Sequence, residues 1–219
     1  MVVVAGRVVV AAAVVEVDVD GALVVTGVVD AATLVAAAAD NDILYLPGGK
    51  TLVIPAFRVY IATGYTPSEK NTEFLRGLKD KVASPRLLTF DATKNNENML
   101  LCRASFPVYG PNKTPFASLM EAAVNMELVA SGLVPADAAR IPASLDEFDF
   151  SSFGGGTWSV GATVRADGQL PLTVKSAHKY SVSATAVNGC KDVMNALPAG
   201  IEAFLLQLYS DPRFPELMR

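Results

Sequence analysis

An α+β fold, with mainly antiparallel sheets built from β-hairpins and helices packed on one face, follows from three features of the sequence. Stretches rich in Val, Ile and Thr recur between turn signals. Two Asp-Gly pairs, Asp20-Gly21 and Asp167-Gly168, sit between such stretches, where a hairpin needs them. The helix-start signals stand apart from the strand groups instead of alternating with single strands.

Val2–Val4 and Val8–Val10 are continuous valine runs, which predicts strands covered on both faces. From Val14 the pattern alternates, with Glu16, Asp18 and Asp20 on one face and Val15, Val17 and Val19 on the other. That predicts a hairpin turning at Asp20-Gly21 and returning through 22–29. Asp30 can cap an Ala-rich helix over 31–39. Strands are expected over 43–46 and 51–62, around a Pro47-Gly48-Gly49 turn.

Thr66-Pro67-Ser68-Glu69 reads as a helix start with Thr66 as N-cap and Glu69 closing a capping box. The helix carries Phe74, Leu75, Leu78 and Val82 on one face and stops before Pro85. Strands over 87–92 and 99–109 follow, and Thr114-Pro115 opens a helix with Phe116, Leu119, Met120, Ala123 and Val124 along one side and Gly132 as its C-terminal cap. Ser144-Leu145-Asp146-Glu147 has the capping-box pattern of a short helical turn.

Gly154-Gly155-Gly156 reads as a hinge or a place of close backbone approach. A second hairpin spans 158–166 and 170–177, and a further strand 179–187. Asn188 is a candidate cap for the last helix, which Pro198 is expected to split or kink.

The expected organisation is a Val/Ala-rich hairpin region (1–65), a helix-ββα unit (66–150) and a βββα unit (151–219), which can form a single compact domain. From residue 87 the order suggests duplicated ββα-type half-units.

Composition narrows the function classes. Hydrophobic residues make up 51% of the 219 and charged ones 18%, and the mean hydropathy is +0.35. That is enough apolar surface to offset the entropy of ordering, so disorder is excluded. A formal charge of −4 and a pI near 5.0 argue against direct nucleic-acid binding. The imbalance is local: of the first 40 residues 26 are Val or Ala, and that stretch carries the whole net charge of −4. No apolar run approaches the roughly 20 residues of a spanning helix, and Arg7 falls inside the first run and not before it, so neither a transmembrane segment nor a signal peptide is expected.

The chemical motifs are weak. Gly49-Lys50-Thr51 ends like a phosphate-binding loop, but position 44 is Leu where that motif needs glycine, and a strand follows. The 154–156 glycines lack the third glycine of a dinucleotide fingerprint, since position 159 is Ser. His178, the single histidine, excludes any site needing two imidazoles; with Lys179 and Tyr180 it is the one cluster that could move a proton. Cys102 is read as a buried small hydrophobe and Cys190 as a thiol near a helix N-terminus. Eighty-eight residues apart, they neither demand nor exclude a disulfide, and so low a count favours an intracellular reducing compartment. The carboxylates at 18 and 20, 40 and 42, and 146, 147 and 149 match no calcium-loop spacing. Asn112-Lys113-Thr114 is a glycosylation sequon, meaningful only in a secreted protein.

No catalytic, cofactor or metal residue is assigned. The expectation is a non-enzymatic structural subunit that self-assembles into a coat, shell or sheet, with Val2, Val3, Val4, Val8, Val9 and Val10 as the assembly interface. The alternative is a small binding module holding an apolar ligand or a partner protein segment.

Overall fold

The computed structural model describes residues 60–91, 97–104 and 106–218 in full, and of residues 1–59 only the backbone of six short strands. The chain divides into two compact units, Met1–Phe57 and Arg58–Arg219.

Among the described residues the first unit contains three antiparallel pairs. β1 (Val2–Val4) pairs with β2 (Arg7–Val9), so the two valine runs are each other's partners. β3 (Glu16–Val17) pairs with β4 (Leu23–Val24), the hairpin expected around Asp20-Gly21. β5 (Ile43–Leu46) pairs with β6 (Lys50–Val53). The expected helix over 31–39 lies outside the described residues.

The second unit holds two sheets. β7 (Tyr60–Ile61), β10 (Phe106–Tyr109) and β9 (Met99–Cys102) form the smaller, in that order. The larger runs β13 (Leu172–Tyr180), β12 (Gly156–Val164), β11 (Arg140–Ser151), β8 (Leu87–Asp91). Within this unit the β10–β7 and β11–β8 pairs are parallel and the others antiparallel. The helices are α1 (Glu69–Arg76), α2 (Phe116–Ala130), α3 (Ala186–Ser210) and the short α4 (Phe214–Leu217). The architecture is α+β, as the sequence predicts.

Two helices cover one face of the larger sheet. α2 lies over β8 and β11, where Phe116 stacks on Phe148 at 4.7 Å between ring centroids. α3 lies over β12 and β13, where the indole N–H of the fully buried Trp158 donates to the Val193 carbonyl at 2.9 Å. A bulge at Asp146 keeps Leu145 and Phe148 on this inner face although three positions separate them. The smaller sheet turns Tyr60, Leu100, Cys102, Phe106 and Val108 inward, and Tyr60 Oη donates to the Val187 carbonyl on α3 at 3.1 Å.

Several expectations need correction. The α1 cap is Ser68, two residues past Thr66, because the buried Glu127 carboxylate takes the Ser68 N–H at 3.0 Å and fixes the chain there. Phe74 is 39% exposed; only Leu75, Leu78 and Val82 of its expected face are buried. The stretch 99–109 is not one strand but the β9–β10 hairpin, whose tip places Arg103 (φ 52°) and Ala104 (φ 57°) in the left-handed region without a glycine to mark it. Ser144–Glu147 lies inside the twelve-residue β11, where the Ser144 and Asp146 side chains bond to each other across the sheet surface instead of capping a helix.

β13 stops at Tyr180, and α3 begins at Ala186 with Thr185 as its cap, accepting from the Asn188 N–H at 3.4 Å. Asn188 is therefore inside the helix. α3 runs unbroken through Pro198, with Leu197, Gly200 and Ile201 buried around it.

Candidate functional site

The residues the sequence singles out are scattered. Of Val2–Val4, Val8 and Val9 the structure describes backbone only, through β1 and β2; their side chains, and Val10 altogether, lie outside the described residues. The carboxylates at 18, 20, 40 and 42 and the glycines at 48 and 49 also lie outside. His178 is half-buried on the inner face of β13 opposite Trp158, while Lys179 is exposed on the other face, so the two do not converge. Tyr180 Oη donates to the Ser151 carbonyl at 2.9 Å, and burial, reinforced by the Asp192 charge, pushes its hydroxyl up to about 12. Asp146 takes hydrogen bonds from the Ser144 and Thr163 hydroxyls, and Glu147 pairs with Lys175 at 3.1 Å.

Gly156 is the point of close approach among the three glycines: a Cβ there would run into the Tyr180 ring and the Val182 side chain. The cysteines form a disulfide, Cys102–Cys190, with both residues fully buried and their Cα atoms 5.9 Å apart. The sequence leaves a disulfide open and the structure forms it, so Cys190 is not a free thiol and the low cysteine count no longer argues for a reducing compartment.

Sequence reasoning missed a buried polar junction. Glu127 on α2 is fully buried, and its Oε1 accepts from Tyr65 Oη at 2.6 Å, the Ser68 N–H at 3.0 Å and Asn71 Nδ2 at 3.2 Å. Asn71 Nδ2 also reaches the Glu202 carbonyl on α3 at 3.0 Å. Burial, with the Glu127 carboxylate beside them, raises the hydroxyls of Tyr65 and Tyr209 above the usual tyrosine range. The signal was available: Glu127 is seven residues after Met120 and three after Val124, on the stripe that buries the rest of α2. With three donors on one oxygen, the junction fixes α1, α2 and α3 together and is a structural centre.

The smaller sheet presents a different surface. Its outer face carries Ile61 (52% exposed), Met99 (37%) and Leu101 (56%), with the buried Pro107 between them and Tyr109 half-buried beside Lys113. No charged side chain belongs to these three strands. The hydrogen-bond alternation follows from the sequence. Pro107 has no N–H, and the Tyr109 carbonyl accepts from Ala62, so residues 107 and 109 face β7 while 106 and 108 face β9. On β9 it is then Leu100 and Cys102 that pair, and Met99 and Leu101 turn their backbone groups outward. This open edge is short: Phe116 N–H closes it at the Glu97 carbonyl and Ser152 Oγ at the Arg103 N–H.

A groove of about 590 Å³ runs along the exposed side of α2, lined chiefly by Ser118, Ala122, Met126, Val129 and Ala130, with the Glu121–Arg140 ion pair (2.8 Å) at its rim. Among the described residues no helix is long and apolar enough to cross a membrane, and no group of three metal-ligating side chains gathers.

Comparison with known proteins adds little beyond this geometry. No family model and no curated protein matches the chain. The crystal structure of protein XCC0632 from Xanthomonas campestris, described by the family label DUF330, is similar at 14% identity and a TM-score of 0.42, over 69% of this chain and 95% of that one.

Proposed function

We propose that the protein is a non-enzymatic structural subunit that associates with copies of itself through strand-rich apolar surface. The observation that carries this reading is the outer face of the β7-β10-β9 sheet, where Ile61, Met99 and Leu101 stand exposed on strands with no charged side chain. Contiguous apolar patches of this kind mark interaction surfaces. Strands without charged side chains also meet their own copy with little like-charge repulsion, Lys113 standing only at the Tyr109 end of the face. The valine runs of β1 and β2 are apolar in sequence, and the reading extends to them as a second assembly segment. The Cys102–Cys190 disulfide suits a protein that works in an oxidising compartment.

The test is the mass of the native particle by light scattering and native mass spectrometry at micromolar concentration. A dimer or larger species is expected, and Met99→Lys with Leu101→Lys should shift it to monomer with circular dichroism unchanged. A stable wild-type monomer overturns the reading. Deleting residues 1–15 then asks whether the valine strands carry assembly as well. The groove along α2 favours a second reading, a binding module for an apolar ligand or partner segment, which a co-purified molecule in the same mass spectrum would support.

A further inference from the structure

Strand β13 ends the larger sheet with a nine-residue edge, and its register fixes which groups face outward. The Arg165 N–H donates to the Pro142 carbonyl at 2.8 Å, so odd-numbered residues of β12 face β11 and even-numbered ones face β13. The β12–β13 pairs are even with even, from Val164↔Leu172 to Gly156↔Tyr180. Thr173, Lys175, Ala177 and Lys179 therefore turn their N–H and C=O groups away from the sheet, and all four are exposed. No backbone group among the described residues pairs with this edge. β8, by contrast, is sealed by α2 side chains, and β9 is open at two residues only.

We propose that the β13 edge takes up an extended acidic segment of a partner protein as an added strand, with carboxylates on alternate residues. Two lysines on an edge strand discourage pairing with a basic strand or with another copy of the same edge, and the same charges select an acidic one. On an added strand every second side chain lands on the outer face, beside Lys175 and Lys179. Among the described residues Lys175 pairs with the partly exposed Glu147, a pair that an incoming carboxylate can replace or share. The intervening side chains fall on the inner face, on the side of Ser176 and His178.

The probe is a short, blocked, fluorescent peptide alternating valine with glutamate, followed by anisotropy against the full chain. Saturable binding is expected, weakening as salt rises. Ala177→Pro removes an outward N–H that the β12 ladder does not use, so the variant should keep its circular dichroism and bind at least about tenfold more weakly. Lys175→Glu with Lys179→Glu should lose binding without touching the backbone. The proposal is overturned if the wild type does not bind the peptide, if the proline variant binds it equally, or if a valine–lysine peptide binds as well. This outcome is independent of self-association, which is read by mass.

Discussion

The side-chain amide of Asn125 completes a β-ladder rung against Leu88: Oδ1 accepts the Leu88 N–H at 2.9 Å and Nδ2 donates to the Leu88 carbonyl at 2.8 Å. Beside it, Glu121 accepts the Phe90 N–H at 2.9 Å. Residues 88 and 90 are those whose backbone groups point away from β11, since Leu87 N–H donates to Ala139 within the sheet. One helix thus does for β8 what a neighbouring strand would do, and closes that edge to further pairing.

Asn125→Ala removes the acceptor of the Leu88 N–H beside a fully buried side chain and leaves the Leu88 carbonyl only its longer 3.3 Å bond from Arg140 Nη1. Unsatisfied groups of this kind cost about 1–3 kcal/mol. Urea unfolding should show a loss in that range, and the variant should aggregate faster than wild type because β8 then offers an open edge. A stability change within error would mean that water replaces the amide without cost.

Glu127→Leu removes the acceptor shared by Tyr65, Ser68 and Asn71. Hydrogen bonds to a charged group are worth about 1.5–3 kcal/mol each, and stranded buried donors add to the loss. The variant should be among the least stable single substitutions in the chain. In a double-mutant cycle with Tyr65→Phe, the two losses should add to less than their sum, because the 2.6 Å bond can be removed only once.

These two sites show where sequence pattern informs and where it stops. The apolar stripe of α2 and its Gly132 terminus were readable, because a period near 3.6 and a residue at φ 70° leave a direct mark. So was the β12–β13 hairpin with Asp167-Gly168 at its tip. The β9–β10 turn was not, because Arg103 and Ala104 hold a left-handed conformation that their residue types do not announce; a disulfide and the Arg103 bonds to the Ser183 and Ala184 carbonyls hold it instead. Ser144–Glu147 misleads because the bulge at Asp146 puts Ser144 and Glu147 on one strand face at the i, i+3 spacing of a capping box. Which edges are open depends on register and on helices far along the chain, and no local window carries that.

Alkaline unfolding should be led by tyrosines. Tyr180 is raised from 10.0 to about 12 by burial and by Asp192, and Tyr65 and Tyr209 are raised as well. Above pH 10 the unfolded chain loses these phenolic protons while the folded chain keeps them. The folded state then binds more protons, so stability falls as pH rises through the window from about 10 to about 12. Tyr180→Phe should flatten part of that fall in urea titrations at successive pH values. At the acid end the sign reverses. Asp192 is held below its usual range by the Ser183 hydroxyl and N–H, so its contribution is present above the unfolded carboxylate range and is lost as pH falls through the folded value.

The disulfide should matter more to one sheet than to the other. It ties the end of β9 to the first turns of α3 across 88 residues, and both cysteines are inaccessible to solvent. Removing a native disulfide typically costs about 2–5 kcal/mol, larger loops lying toward the upper part in the chain-entropy account. Cys102→Ala with Cys190→Ala should lose stability in that range. Its amide exchange should rise first in the β9–β10 hairpin, where Arg103 and Ala104 depend on the crosslink to keep positive φ. The larger sheet keeps its own ties to α3, through Trp158 to Val193 and the packing of Gly200 on the indole, and its amides should stay protected. Uniform loss of protection over both sheets would instead show that the two unfold as a single cooperative body.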